Sequence, residues 1–276
     1  MEAKKVPQVD FAVIGGSSTF SINFPEDLQR GDTRIIADAL TFETPYGVSP
    51  PLKLFMLDKK KIITVKMHGW RGGIARADAS RQVFWVFREA GVKKIVSEGG
   101  VGSINRLLRP RDLIVPTDYL DFSMRKDVSL GGAFLLTMRK SVCPGIRREL
   151  VRSAEAEAVG RVFDRGVYAV TDGRHFESPA EVEMLYRLGA DIVGQSMCPE
   201  VYLAREIGAC YGRMDMVVNY AEGVIKEWDY EEMAGIFYGE PGKIGSIILN
   251  TLARIEPEQS CGCTQYRKPS LLKEKT

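Results

Sequence analysis

The sequence predicts a single layered α/β domain, and three observations carry that expectation. Short apolar runs alternate with stretches of helical periodicity along most of the chain. No internal repeat and no convincing linker divides the 276 residues, a length ample for one large core. Polar and charged clusters follow the apolar runs, where folds of this class place functional loops. The richest are DGRHFESPAEVEMLYRLGADIVGQSMCPE at Asp172–Glu200 and VVNYAEG at Val217–Gly223. Together they suggest a pocket that reads a flat, nitrogen-rich ligand.

In chain order, Phe11–Ile14 reads as a buried strand ending in a GGSS turn. Leu52–Leu57 and Lys61–Met67 form a hairpin around Asp58-Lys59-Lys60. Ala77–Ala90 has helical spacing, with Val83, Phe84, Trp85 and Phe87 apolar and Gly91 as the stop. Lys94–Ser97 and Asp112–Pro116 read as strands, Arg147–Val159 as a helix and Gly166–Thr171 as a strand. Pro179–Leu188 is a helix opened by proline. Ala190–Gly194, Pro199–Ile207 and Cys210–Val218 continue as strand, helix and strand. Tyr230–Ile255 is helical with an interruption near Gly239–Gly242. Residues 1–255 then form the body, and Glu256–Thr276 a loosely attached polar tail.

Thirty-eight basic residues against 36 acidic leave a net charge of +2, which implies neither a nucleic-acid nor an anionic-membrane partner. No apolar run of membrane-spanning length is free of charge, and MEAKKVPQVD lacks the apolar core of a signal peptide. The expected location is cytoplasmic. The five cysteines are Cys143, Cys198, Cys210, Cys261 and Cys263. By spacing they make no metal site, because Cys-Gly-Cys has no second pair and no nearby His. They read either as buried thiols plus a polar tail, or as disulfides of a thermophile's cytosolic protein. A Cys261–Cys263 bridge would be strained and redox-active.

Three glycine-rich segments follow strands. Gly15-Gly16-Ser17-Ser18 reads as a structural turn or as a loop whose N–H groups and hydroxyls hold an anion. It lacks the Lys of a Walker loop and the third Gly of a dinucleotide fingerprint. His68 opens a second glycine-rich loop, with Lys66, Arg71 and Arg76 near enough to bind phosphate. Glu98–Ser103, EGGVGS, is the third and allows close backbone approach to a ligand. Arg81, on the intervening helix, is a phosphate ligand or a solvated surface residue.

The order of these motifs resembles the trimeric nucleoside phosphorylase family, which includes methylthioadenosine and purine nucleoside phosphorylases. VIGGSS, TPYG at Thr44–Gly47, the His68-Gly69 loop and GVGS match, and SRQVFW stands in place of the family's YRANIW. RPRDLIVPTDYLD resembles PGDLVIPDQFID, HFESPAE resembles RFETPAE, and VVNYAEG resembles VTNYAAG. GADIVGQSMCPEVYLAREIGACY is similar to GADVVGMTxVPEVxLARExGxCYA. The similarity covers about residues 10–225.

The resemblance implies a single-domain three-layer α/β/α fold with a mixed, partly barrel-like sheet. It implies phosphorolysis of a purine nucleoside through an oxocarbenium-like transition state, with phosphate as co-substrate and no cofactor. It also implies a homotrimer or homohexamer in which a neighbouring subunit completes each pocket. Ser17, His68 and Ser196 match phosphate-binding positions, with Gly99 and Gly100 offering backbone contacts. Phe176 matches the aromatic on the purine face, Glu177 the carboxylate at the purine edge, and Asn219 the contact to N7. Asn219 and His68 are thus the expected catalytic residues. Glu177 favours a 6-oxopurine, whose lactam N–H it accepts. Gln195 falls beneath the ribose. Leu135 aligns with a family His near the 5′ group, where an apolar residue suits a methylthio substituent.

Three departures cluster on the phosphate and ribose side. Met67 replaces the family's phosphate-binding Arg, so a bidentate guanidinium is lost unless Arg71 replaces it. Gln195 stands in place of Met. Glu98 replaces a small polar residue, and a carboxylate there is expected to repel phosphate. An alternative reading is therefore a relative with altered catalysis, one that binds a purine-like ligand without turnover or hydrolyses the nucleoside.

Overall fold

The computed structural model describes residues 5–67, 71–157, 160–173, 175–258 and 261–272. The first strand, β1 (Phe11–Gly15), is buried throughout, as its unbroken apolar run requires. Then follow β2 (Thr33–Leu40), the small hairpin β3 (Glu43–Thr44) and β4 (Gly47–Val48), β5 (Leu52–Leu57) and β6 (Lys60–Lys66). The expected β5–β6 hairpin is present, turning at Asp58 with φ 49°. Helix α1 (Arg76–Glu89) buries Val83, Phe84, Val86 and Phe87 and stops before Gly91. Next come β7 (Lys94–Ser103), β8 (Leu113–Ile114), β9 (Asp118–Asp121) and β10 (Phe134–Leu136).

Helix α2 (Pro144–Glu157), β11 (Val162–Phe163) and β12 (Val167–Val170) lead to α3 (Pro179–Arg187). A Ser178–Glu181 capping box starts α3, satisfying N–H groups the first turn leaves unpaired. The chain continues through β13 (Ile192–Gly194), α4 (Met197–Ile207), β14 (Cys210–Tyr220), α5 (Tyr230–Gly239), α6 (Pro241–Arg254) and β15 (Arg267–Pro269). Pro241 separates the last two helices as the glycine-rich interruption suggested.

Eleven strands form one mixed sheet, with the order β11-β8-β14-β7-β1-β6-β5-β2. Strand β7 is its branch point. It runs parallel to β1 and β14, while Gly102 and Ser103 pair antiparallel with β13, which carries β12 and β9 beyond it. Helices α1 and α4 cover one face through Phe84, Phe87, Val201 and Leu203. On the other face α2 and α6 pack Ile146, Leu150, Ile247 and Leu252. The fold is therefore the expected three-layer α/β/α sandwich around a mixed sheet.

Two expectations change. The EGGVGS segment is not a loop but the second half of β7. The β14 ladder along its length, joined by β13 at Gly102 and Ser103, holds it extended despite the weak strand preference of glycine. The described part of the tail is not loose: β15 pairs antiparallel with β10, and Cys263 is buried. Short β9, β10, β11 and β15 escaped the sequence reading because each has four residues or fewer. No helix among the described residues is long and apolar enough to cross a membrane.

Candidate active site

The ends of β1, β7, β13 and β14, together with α5, enclose a cleft of about 930 Å³, within the range that holds a small organic ligand. Ser17, Gly99, Gly100 and Ser196, assigned above to phosphate, line it. So do Phe176, Glu177, Gln195 and Asn219, assigned to the nucleoside. His68 lies outside the described residues. Leu135 is on β10, paired with Lys268 and 47% exposed, and does not line the cleft.

At the anion end, the loop after β1 folds around Glu98. The Glu98 carboxylate accepts hydrogen bonds from the N–H groups of Gly16, Ser18 (3.1 Å) and Thr19 (3.2 Å), and from Thr19 Oγ1 at 2.6 Å. Such successive N–H groups form an anion-binding concavity. Here its occupant is the chain's own carboxylate. Glu98 is nonetheless not a bare charge on the cleft wall, since it is 2% exposed and held by these donors. Burial raises its pKa above the ordinary carboxylate value, while Thr19, Gly16 and Arg213 act in the opposite direction. Ser17 Oγ accepts from the Gly100 N–H at 2.7 Å, fastening the loop to β7. Ser18 Oγ is buried beside the cleft with no hydrogen-bond partner among the described residues.

A cation that the motif comparison missed stands behind this end. Arg213, fully buried on β14, engages Asp215 through Nη2 at 2.7 Å and Nε at 2.9 Å. Its Nη1 reaches Glu200 at 3.4 Å, and its Nη2 donates to Ser196 Oγ at 2.9 Å. The hydroxyl of Ser196, at the start of α4, is thereby oriented. A Cβ on Gly99 would overlap the guanidinium, so glycine is needed there. Burial pushes the Asp215 pKa up to about 6 although Arg213 pulls it down, and burial likewise raises Glu200. The sequence carries only a partial signal: Arg213 and Asp215 are two residues apart in an apolar strand, hence on one face, but nothing there names Ser196 or Glu200 as their partners.

Met67 and Arg71 both line the cleft. The Arg71 Nη2 is bonded to Gln82 Oε1, and burial lowers its pKa. Arg81 takes the surface reading, pairing with Asp78 at 3.0 Å outside the cleft. Arg76 and Arg125 meet at the Gln195 carbonyl, donating at 2.6 and 3.0 Å. Asp172 lies 3.6 Å from Arg76 and 2.8 Å from Arg125, so this trio braces the Gln195–Ser196 turn. Burial, with Arg125 nearby, brings the Arg76 pKa down to about 10.

At the opposite end, Phe176 is 47% exposed and meets Trp228 edge-on, with centroids 5.6 Å apart. Their rings make an apolar wall for a planar group. The Glu177 carboxylate is buried and accepts the Thr171 hydroxyl proton. A bulge at Val218 shifts the β14 register so that Asn219 faces Gly102, as bulges commonly re-aim side chains. Asn219 Nδ2 donates to the Tyr220 carbonyl at 2.7 Å, which fixes the amide and leaves Oδ1 as an acceptor. Tyr230, Met233 and Phe237 of α5 form the outer wall.

Folding also revises the cysteine arithmetic. Cys143 and Cys210 join Cys261 and Cys263, and the four Sγ atoms all lie within 4.8 Å of one another. Spacing offered no second pair because it comes from residues more than fifty positions upstream.

A family model described as the phosphorylase superfamily matches residues 11–249. A probable S-methyl-5′-thioinosine phosphorylase of Methanothermobacter thermautotrophicus is 30% identical over 255 residues, covering 91% of this chain and 86% of the relative. The 6-oxopurine nucleoside phosphorylase of Pyrococcus furiosus is 30% identical over 269 residues, covering 93% and 97%. Among solved structures, a methylthioadenosine phosphorylase from an antarctic soil metagenomic library superposes with a TM-score of 0.80 at 22% identity, covering 95% of this chain and 91% of the other. With sequence motifs, fold and relatives in agreement, the chain belongs to the phosphorylase superfamily.

Proposed function

We propose that this protein is a purine nucleoside phosphorylase of the methylthioadenosine phosphorylase type. It cleaves the N-glycosidic bond of a purine nucleoside or 5′-methylthio nucleoside with phosphate, releasing the purine and (methylthio)ribose 1-phosphate. The supporting observation is one cleft with a base-reading end, Phe176, Glu177 and Asn219, opposite hydroxyls and N–H groups at Ser17, Ser18, Gly100 and Ser196. A phosphate oxygen attacks C1′ as the C1′–N9 bond breaks, and its negative charge offsets the positive charge growing on the ribosyl group. His68 is assigned to hold that phosphate.

Electrons from the broken bond enter the purine, whose N7 takes up a proton from solvent, and Asn219 Oδ1 accepts the hydrogen bond of the resulting N7–H. Glu177 accepts the N1–H of a 6-oxopurine. A 6-aminopurine has no proton there, a mismatch of about 1–3 kcal/mol in a buried site. The relatives named for 6-oxopurine nucleosides and methylthioinosine fit this preference. Phosphate is the co-substrate and no other cofactor takes part. The enzyme works in the cytoplasm as a homotrimer or a pair of trimers. The exposure of Phe122 (41%), Met124 (88%) and Leu135 (47%) supports a neighbouring subunit at that face.

A second reading, hydrolysis, is favoured by Glu98, which fills the anion loop of the chain itself. Base release from inosine, methylthioinosine and methylthioadenosine, assayed with and without phosphate, tests both. Phosphate-dependent release with sugar 1-phosphate as product supports phosphorolysis. Equal release without phosphate establishes hydrolysis, and no release from any of them refutes both.

A further inference from the structure

We propose that Cys143, Cys210, Cys261 and Cys263 bind one zinc ion as a closed tetrathiolate site that fastens the C-terminal segment to the body. Their Sγ atoms lie within 4.8 Å of one another. By geometry such points have a common centre within about 2.9 Å of each, against a zinc–thiolate bond of about 2.3 Å. Sulfurs of a tetrahedral zinc tetrathiolate stand about 3.8 Å apart, so four already within 4.8 Å reach that spacing by small side-chain movements. None of the four is in a disulfide, and the Cys210–Cys261 sulfur separation is 3.2 Å.

The ligands come from three rigid places. Cys143 directly precedes α2, and its N–H donates to the Tyr211 carbonyl at 2.7 Å. Cys210 opens β14, with its N–H on the Lys93 carbonyl at 2.8 Å. Cys261 and Cys263 flank Gly262, whose φ of +70° is a conformation glycine adopts without strain. That turn directs both sulfurs to one point. Packing alone gives no reason to gather four weakly hydrogen-bonding thiols from segments this far apart.

The surroundings suit a structural metal. Cys143, Cys210 and Cys263 are buried in an apolar cluster with Ile146, Ile255 and Leu252, and Cys261 packs against it. Four thiolates around a divalent ion leave two negative charges. Lys94 Nζ, 3.5 Å from Cys210 Sγ, offsets part of that. All-sulfur donors select thiophilic ions, and four protein ligands leave no position for substrate. The role is structural, holding residues 261–263 so that β15 can pair with β10. It does not depend on which reaction the cleft performs.

The test is elemental analysis of the full chain purified anaerobically from zinc-supplied cells, with cobalt substitution of the reduced, metal-free protein. About one zinc per chain is expected, together with the visible absorption of tetrahedral cobalt thiolate, bleached by added zinc. Cys261→Ser and Cys263→Ser each lose the zinc, whereas Cys198→Ala keeps it. Should the serine variants fold poorly, release of zinc from the wild type by an organomercurial titrating four thiols gives the same answer. The proposal is overturned if anaerobic protein carries no zinc and reduced protein gives no cobalt thiolate spectrum. It is equally overturned if the four cysteines are isolated as disulfides, or if Cys261→Ser retains its zinc.

Discussion

Replacing Glu98 by Gln tests how the anion end works. The carboxylate is held by Gly16, Ser18 and Thr19, in the loop that ought to receive phosphate. Phosphate arriving beside an ionised Glu98 meets a like charge. Two unit charges about 4 Å apart interact by about 4 kcal/mol at the effective dielectric of a protein site. The substitution removes that repulsion, but the amide loses charged hydrogen bonds worth about 1.5–3 kcal/mol that order the loop. The balance, about 1–2.5 kcal/mol, predicts that the KM for phosphate falls about five-fold to seventy-fold. The assay is phosphate KM at saturating nucleoside, with thermal unfolding as the check on folding. The pH dependence gives the sign independently. Burial raises the folded pKa of Glu98, so falling pH neutralises it earlier than a free carboxylate. Relative to Glu98→Gln, wild-type phosphate KM should improve as pH drops through that pKa, and the two should converge at low pH. Identical KM values with parallel pH profiles would refute competition between Glu98 and phosphate.

Asn219→Ala should lower kcat about a hundred-fold with little change in nucleoside KM, measured by single-turnover base release, because the contact to N7 strengthens as the base departs. Met67→Arg should restore a guanidinium to the cleft and lower phosphate KM about ten-fold, read from the same initial-rate assay. Asp215 is raised to about 6 from an unfolded value near 3.8, so the native state holds the extra proton. Its contribution to stability is present below about pH 4 and lost as pH rises towards 6, by up to about 3 kcal/mol. Urea unfolding at about pH 5 and pH 7 should show a smaller difference in Asp215→Asn than in wild type.

Most long elements were legible in the sequence because their periodicity is strong and their stops are chemical, whereas the eight-residue β2, an edge strand alternating between half-buried and exposed residues, was not read. Gly91 ends α1, Ser178 and Pro179 open α3, and Pro241 divides α5 from α6. The convergence of Phe176, Glu177 and Asn219, the residues proposed to read the base, was foreshadowed as well, since they lie in the best-matched motifs and line one cleft. What stayed hidden depends on partners distant in the chain. Glu98 could be read as a charge near phosphate but not as the guest of a loop 80 residues earlier. Arg213 looked like a strand residue until Ser196, Glu200 and Asp215 surrounded it. The cysteines failed the spacing test because two of their number come from α2 and β14.

Helix α5 forms one wall of the cleft yet buries a single side chain, Ile236. Its other fastenings include the Asp229 cap accepting the Glu232 N–H at 2.7 Å, the Ser21 hydroxyl donating to the Phe237 carbonyl at 2.8 Å, and the Phe20–Phe237 ring contact. The Arg111–Glu240 and Lys226–Glu232 pairs add to these at 3.1 and 2.9 Å, and most of the set lies at the surface. A segment held so lightly detaches at lower free-energy cost than the strands beneath it. Bond cleavage and ligand exchange are thus assigned to different mechanical parts. The sheet holds the reacting groups still, and the helix sets how quickly a spent base diffuses out. Turnover limited in this way would slow with solvent viscosity while the chemical step kept its pace.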